Sequence, residues 1–262
     1  MSRVLAVANQ KGGVGKTTTS VNLAASLNAT KKSVLLIDLD PQGNATTGSG
    51  VNKSALEYTI YEVLTGQQPF DAVVVRPEEA DYDLLPAHGD LTAAEVELLQ
   101  SPNRETRLRT IVEGIRDRYD FVVIDCPPSL NMLTVNALVA ADGVLIPMQC
   151  EFYALEGLSA LMDTISAISE TLNPNLKIEG ILRTMYDPRN KLTTEVNGQL
   201  FNYFGDRVYR TVVPRNVRLA EAPSFGMPVI KYDRQSRGAI AYLAVAGEVL
   251  RRTDELIRAA AP

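Results

Sequence analysis

Six short runs of branched apolar residues recur along the chain with helix-length segments between them. They are VLAVAN at 4–9, VLLIDLD at 34–40, FVVIDC at 121–126, GVLIPM at 143–148, IEGILRTM at 178–185 and VYRTVV at 208–213. Such near-continuous apolar runs suit strands buried on both faces, as a parallel sheet requires. Amphipathic patterns fall between them at 17–27, 105–118, 130–140, 155–172 and 194–204, and a last helix is expected at about 237–260. This alternation predicts an α/β fold, a doubly wound, mostly parallel sheet flanked by helices, with ligands at the carboxyl ends of the strands. No Gly/Ser linker, low-complexity tract or internal repeat interrupts residues 1–262, so a single domain is expected, with disorder confined to the last few residues. Segment 44–102 reads as a mostly peripheral excursion. Pro69, Pro77, Pro86 and Gly89 punctuate it, and its strands, AVVV at 72–75 and YDLLPA at 82–87, look short.

Composition narrows the class. With 45% apolar and 22% charged residues the chain is far from the make-up of a disordered polypeptide. It has no apolar run long enough for a membrane span, and MSRVLAVANQKGG turns polar too early for a signal peptide, so a cytoplasmic protein is expected. Cys126 and Cys150 lack the spacing of a zinc site or a disulfide framework and are expected to be buried thiols. His88, without neighbouring ligands, reads as an ordinary loop residue. The net charge of −5 would discourage nucleic-acid binding, but residues 183–237 hold ten Lys and Arg against five acids. That stretch carries +5, and it fits either a solvated charged surface or a phosphate-binding face.

The strand VLAVAN runs straight into QKGGVGKTTT and then a helix, the order in which a phosphate-binding glycine loop works. Gly12, Gly13 and Gly15 let backbone N–H groups converge on phosphate oxygens, with Val14 between them and Thr18 following, while the helix N-terminus adds partial positive charge. Lys16 is placed to reach the β and γ phosphates of ATP, and the Thr17 hydroxyl to bind Mg2+. Asp38 and Asp40 stand two residues apart at a strand end, hence on one side of it. Asp40 is assigned to position the attacking water and Asp38 to support the metal, a turn cap being the alternative for either. Asp125, after four apolar residues in FVVIDCPPS, is assigned to Mg2+, directly or through water.

Gln10 replaces the first glycine of the common phosphate loop and Lys11 is an added lysine, so KGGVGKT resembles the deviant Walker A motif of the ParA/MinD family. Together with DLDPQGNATTG, FVVIDCPPSL, PMQCEFYALEGL and PRNVRLAEAPSFGMPV, it makes the chain resemble the ParA family of partitioning ATPases, in particular the short Soj-like type, from residue 3 to about 249. The resemblance implies a P-loop NTPase fold of deviant Walker type. It implies that Lys11 reaches the partner's nucleotide in an ATP-sandwich homodimer, and that this dimer binds double-stranded DNA without sequence preference. It further implies that a ParB-like centromere-binding protein stimulates hydrolysis to ADP, that the protein is nucleoid-associated, and that its cargo is a chromosome, a plasmid or a protein cluster being the alternative. Arg189 in MYDPRNKL and Arg218 in PRNVRLAEAPS match the family's DNA-binding positions; Lys191 is added because it flanks Arg189 in the same loop. Pro214, Arg215 and Asn216 match the segment that packs near the adenine. Without a recognition helix or aromatic stacking set, contacts to DNA are expected at phosphates.

Three other readings are weaker. A MinD-like membrane-cycling ATPase needs an amphipathic anchor, and the tail RRTDELIRAAAP has few bulky apolar residues, so no membrane partner is expected. A redox protein like the nitrogenase iron protein would rely on Cys126, which reads as strand interior. A non-catalytic nucleotide clip is opposed by Asp40. Only eight residues precede Asn9, so no operator-binding domain is expected.

Overall fold

The computed structural model describes residues 2–260, and among them seven strands form one sheet: β1 (Arg3–Val7), β2 (Val34–Asp38), β3 (Asp83–Leu85), β4 (Phe121–Asp125), β5 (Gly143–Gln149), β6 (Lys177–Tyr186) and β7 (Val208–Pro214). The order across the sheet is β3-β2-β4-β1-β5-β6-β7, and every pairing is parallel. The expectation of disorder at the chain's end falls on residues 261 and 262, which lie outside the described residues.

The helices are α1 (Lys16–Asn28), α2 (Asn44–Gly48), α3 (Ile60–Thr65), α4 (Phe70–Val73), α5 (Leu91–Gln100) and α6 (Arg107–Ile115) in the first half. They continue with α7 (Met132–Ala140), α8 (Ala154–Thr171), α9 (Lys191–Phe204), α10 (Val217–Glu221), α11 (Val229–Tyr232) and α12 (Arg237–Ala260). One apolar cluster joins the sheet to α3, α5, α6, α7, α8 and α9; the other joins it to α1 and α12. Strands β2 and β4 are buried along their whole length and β1 beyond Arg3, which is why their sequences do not alternate.

Register is what the fold contributes to chemistry. Val7 of β1 and Asp38 of β2 both lie opposite Asp125 of β4, so three loops leave the sheet at one level. Ligand sites in open α/β sheets form where such loops converge. Helix α1 has three threonines and a serine in its first five residues, poor helix formers, and is stabilised by packing instead. Thr19, Ser20, Leu23, Ala24 and Leu27 have essentially no exposed surface, and the Thr19 hydroxyl meets the Tyr242 hydroxyl of α12 at 3.1 Å.

The region 44–102 departs from the sequence expectation. It is a working layer of the core: Ile60 and Leu64 of α3 and Leu91 and Leu98 of α5 are fully buried in the cluster that contains β2 and β4 residues. YDLLPA contains the edge strand β3, but AVVV ends helix α4, and only Val75 pairs, as an isolated antiparallel bridge to Leu84. Pro69, at the N-cap of α4, starts that helical turn. Helix α9 begins at Lys191, three residues earlier than expected, because Asn190 caps it by accepting from the Leu192 N–H at 3.0 Å. Lys191 is therefore in a helix, not in the loop with Arg189.

Candidate nucleotide-hydrolysis site

The loop from β1 to α1 is open by construction. Gly13 and Gly15 have φ of 72° and 87°, a region that side-chain-bearing residues seldom adopt, and a Cβ on Gly12 or Gly13 would meet no protein atom within 4 Å. Gly15 occupies the N-cap position of α1 without any side-chain cap, leaving the first N–H groups of the helix free for an anion. The loop is braced from behind: the Thr184 hydroxyl of β6 donates to the Val14 carbonyl at 2.7 Å, and the Asn9 amide donates to the Pro147 carbonyl at 2.8 Å. The result is a cleft of about 570 Å³ lined by Gly12, Gly13, Gly15, Lys16, Thr17 and Thr18, by Asp40 to Gln42 and Asn44, by Pro127 to Ser129 and Asn131, and by Glu95 and Met185.

Lys16 is only 7% exposed, and its ammonium donates to the Lys11 carbonyl at 3.2 Å. Burial lowers its pKa, while Asp125 and Asp40 nearby act in the opposite direction. A cation held this way is a ready counter-charge for a polyphosphate.

The three expected carboxylates separate into different environments. Asp40 is 7% exposed, lines the cleft, and accepts from the Gln42 N–H at 2.9 Å. Asp38 has no exposed surface and does not line the cleft. Its Oδ2 accepts from the N–H and the hydroxyl of Thr46, both at 2.7 Å, and its Oδ1 from the Asp40 N–H at 3.2 Å. It ties the segment carrying Asp40 to the sheet and has both oxygens engaged inside the protein. The Ala87 N–H donates to Thr46 Oγ1 at 2.9 Å and extends the tie to the end of β3.

Asp125 is fully buried; its Oδ1 accepts from the Ser20 hydroxyl at 2.8 Å, and the Thr17 side chain lies near enough to oppose the rise in its pKa. Its Oδ2 is buried with no partner. Burial pushes the Asp125 carboxyl up, with the Asp38 charge adding to it, and burial likewise pushes up Asp38. An orphaned carboxylate oxygen beside a threonine hydroxyl is the hard oxygen set that suits magnesium or its bound water. Among the described residues there is no group of three His, Cys, Asp or Glu that could hold a metal by itself, so phosphate oxygens or water would complete the shell.

Lys11 does not line its own cleft. Its ammonium pairs with Glu151 at 2.6 Å, the two side chains being 40% and 45% exposed. A pair so solvated is worth about 1 kcal/mol or less and is readily exchanged. Met185 also lines the cleft, while Pro214 lies opposite Tyr186 in the β6–β7 register, and Pro214, Arg215 and Asn216 are not part of the wall. Asn216 Oδ1 is buried without a partner, against the backbone of Gly238. Both cysteines are buried and free; burial pushes the Cys150 thiol up to about 11 and Cys126 higher, so neither offers a thiolate. His88 sits half-buried in a loop beside Asp90.

The expected DNA-contact residues are on the surface but occupied. Arg189 is 88% exposed and forks onto Asp187 at 2.9 and 2.7 Å; the Asp187 carboxyl is held down to about 2 by this hydrogen bonding, with the Arg215 charge assisting. Arg218 pairs with Glu221 at 2.8 Å and Asp233 at 3.3 Å. Lys191 and Arg215 are exposed. Arg183 is not part of any surface: it is buried, bonded to Asn197 and to the carbonyls of Tyr209 and Arg210.

The sequence did not single out Glu95, Met185, the Pro127–Asn131 loop, or Pro41, Gln42 and Asn44 beside Asp40 as parts of the cleft. The signal for Glu95 lay in LTAAEVELLQ, where the apolar stripe Leu91, Ala94 and Leu98 places the glutamate on the inner side of α5.

Comparison with known proteins bears on this geometry. The family model AAA_31, an AAA domain, matches residues 2–178. The chain is 53% identical over 252 residues to the chromosome partitioning protein ParA of Caulobacter vibrioides, covering 95% of this chain and 94% of that one. It is 50% identical over 249 residues to the sporulation initiation inhibitor protein Soj of Bacillus subtilis, covering 95% and 98%. Among solved structures, cobyrinic acid a,c-diamide synthase from Mycobacterium smegmatis with bound ADP and magnesium superposes with a TM-score of 0.86 at 39% identity, covering 97% and 96%. Its name differs from those of the sequence relatives, but it has the same nucleotide-loop fold, and the higher identity is to the partition proteins. The phosphate loop at the head of a parallel sheet, the carboxylates beside it and matches running almost end to end place this chain in the ParA/Soj family of chromosome-partitioning ATPases.

Proposed function

We propose that this protein binds Mg·ATP, dimerises around two nucleotides, and as that dimer grips double-stranded DNA without sequence preference until hydrolysis to ADP releases it. A ParB-like centromere-binding protein stimulates hydrolysis, the cargo is a chromosome, and the protein works on the nucleoid. The observation that carries the reading is Lys11: it directly precedes the glycines that line the phosphate-binding cleft, does not line that cleft itself, and rests in an exchangeable surface pair with Glu151. A lysine so placed is available to a second copy's nucleotide. The partition names of the full-length relatives support the DNA and chromosome parts. Among the described residues no helix is long and apolar enough to cross a membrane.

The mechanism follows from the residues. Backbone N–H groups of Gly12 to Thr18 and the Lys16 ammonium hold the phosphates. Thr17 and Asp125 would hold magnesium, which supplies charge neutralisation at the β and γ oxygens. Asp38, locked onto Thr46, fixes the segment that presents Asp40, and Asp40 orients the attacking water. Lys11 from the second copy screens charge that develops as the terminal phosphoryl group leaves. Loss of that group removes the differential binding that joined the copies, and two weak basic faces on one rigid body become two separate weak binders. Pro214, Arg215 and Asn216 lie outside the phosphate cleft, and their assignment to the base rests on the family resemblance.

The test is ATP-dependent retention on nonspecific duplex DNA by the parent chain and by Lys11→Ala. Retention is expected for the parent with ATP alone and loss for the variant despite normal nucleotide binding. Equal retention of both defeats the sandwich reading.

A further inference from the structure

The segment that presents Asp40 is held from a side the motifs do not reach. Asp40-Pro41-Gln42-Gly43 is a β-turn with aspartate first, proline second and glycine fourth, the order such a turn favours. The Gly43 N–H donates to the Asp40 carbonyl at 2.8 Å and closes the turn, and the Gln42 N–H donates to Asp40 Oδ1 at 2.9 Å. The direction of the Asp40 carboxylate therefore depends on this turn, and the turn depends on the peptide unit between Gln42 and Gly43 keeping its plane. That unit is followed by a glycine at φ 59°, whose backbone offers little resistance to reorientation.

Lys53 supplies the resistance. It opens the 3-10 turn Lys53–Ala55, which Asn52 caps by accepting from the Ser54 N–H at 3.1 Å. From there its ammonium donates to the Gln42 carbonyl at 2.6 Å, so one peptide unit is held at both poles, its N–H by Asp40 and its C=O by Lys53. A charged donor on the carbonyl also polarises the unit and strengthens the N–H bond that closes the turn. The lysine stem acts with its head: a Cβ on Gly43 would lie 2.5 Å from Lys53 Cδ and 2.7 Å from the Ala87 carbonyl oxygen, so Gly43 is enclosed between that stem and the chain just past β3. Gln42 lines the cleft and Lys53 does not. A lysine that served only as a surface charge would not commit both its stem and its ammonium to one turn.

We propose that Lys53 is a positioning residue for ATP hydrolysis: by holding the Gln42–Gly43 peptide unit it keeps the turn that aims the Asp40 carboxylate at the attacking water. The role rests on the Asp40 assignment and needs only the ATPase reaction, not DNA or dimer affinity.

The experiment compares steady-state ATP turnover, binding of a fluorescent ATP analogue, thermal midpoint and NMR-detected amide exchange for the full chain, K53M, K53R and D40A. Methionine keeps much of the stem over Gly43 and removes the donor, whereas arginine keeps a donor. For K53M the expected result is kcat lowered on the order of 10-fold at unchanged KM, analogue binding within about twofold of the parent, and a midpoint within about 4 °C. The Gln42 and Gly43 amides should exchange on the order of 10-fold faster, with those of β1 and β4 unchanged. K53R is expected to recover part of the turnover. K53M turning over within about twofold of the parent overturns the proposal, as does unchanged exchange at Gln42 and Gly43, a midpoint lowered by more than about 4 °C, or a loss of turnover matched by an equal loss of nucleotide binding. Slow D40A beside normal K53M would keep Asp40 and remove Lys53; slow K53M beside normal D40A would remove both, since the lysine would then act by another route.

Discussion

The loop after β1 and the ends of β6 and β7 lie at the same edge of one sheet, yet they are built on opposite principles. Around the phosphate loop, Lys16, Asp40 and Asp125 are nearly or fully buried and held by hydrogen bonds, so the site is preorganised while Oδ2 of Asp125 is left without a partner. Around the basic face, Arg189 and Arg218 are half to almost fully exposed, and each is already paired with acids of its own surface. The first region can bind tightly as a single copy. The second has its charges screened by solvent and by neighbours, so on the proposed reading one copy would grip DNA weakly and two copies together would hold it.

Salt separates the two regions most strongly. If the dimer neutralises about six phosphates, we predict that DNA affinity falls roughly 10³-fold between 50 and 200 mM salt, while ATP affinity moves little; a flat salt titration of duplex binding would erase the contrast. Next in size, Asp40→Ala is predicted to lower turnover on the order of 100-fold with ATP and DNA binding kept, read by phosphate release alongside filter retention. Lys16→Ala is predicted to weaken ATP by tens of fold to about 100-fold, since a charge-assisted contact to phosphate is lost from a buried position, as equilibrium binding would report. Arg218→Glu is predicted to cost on the order of 10-fold in DNA affinity and about one unit of salt slope per copy, with nucleotide binding untouched. The smallest effect has the opposite sign. Asp187→Asn frees Arg189 and relieves Arg215 of a neighbouring acid, so DNA affinity should rise by a factor of about 2 to 5, and a fall would mean that Asp187 holds Arg189 in its working pose.

The same contrast explains what the sequence made legible. The loop KGGVGKTTT is local: strand, glycines, lysine and helix follow one another in the chain, and the φ values of Gly13 and Gly15 are those the pattern demands. Spacing put Asp38 and Asp40 together and assigned Asp40 to the water and Asp38 to the metal, but it could not show that Thr46 and Ala87 fold back to hold Asp38 away from the cleft. Segment 44–102 was underrated since its proline and glycine punctuation hid short helices that are stabilised only by the core they cover. Glu95 was missed because a glutamate in an amphipathic helix reads as solvated until the helix is docked. Arg189 and Arg218 were named by resemblance; Asp187 and Glu221, which pair with them, stand close by in the chain, whereas Asp233 meets Arg218 only through the fold.

Sedimentation of the Asp40→Ala chain with ATP, with and without a short duplex of arbitrary sequence, tests the central claim most directly. Twice the single-chain mass is expected with ATP, a further gain when duplex is added, and single-chain mass without nucleotide. A single-chain mass with ATP bound, or equal uptake of duplex in its absence, would contradict it.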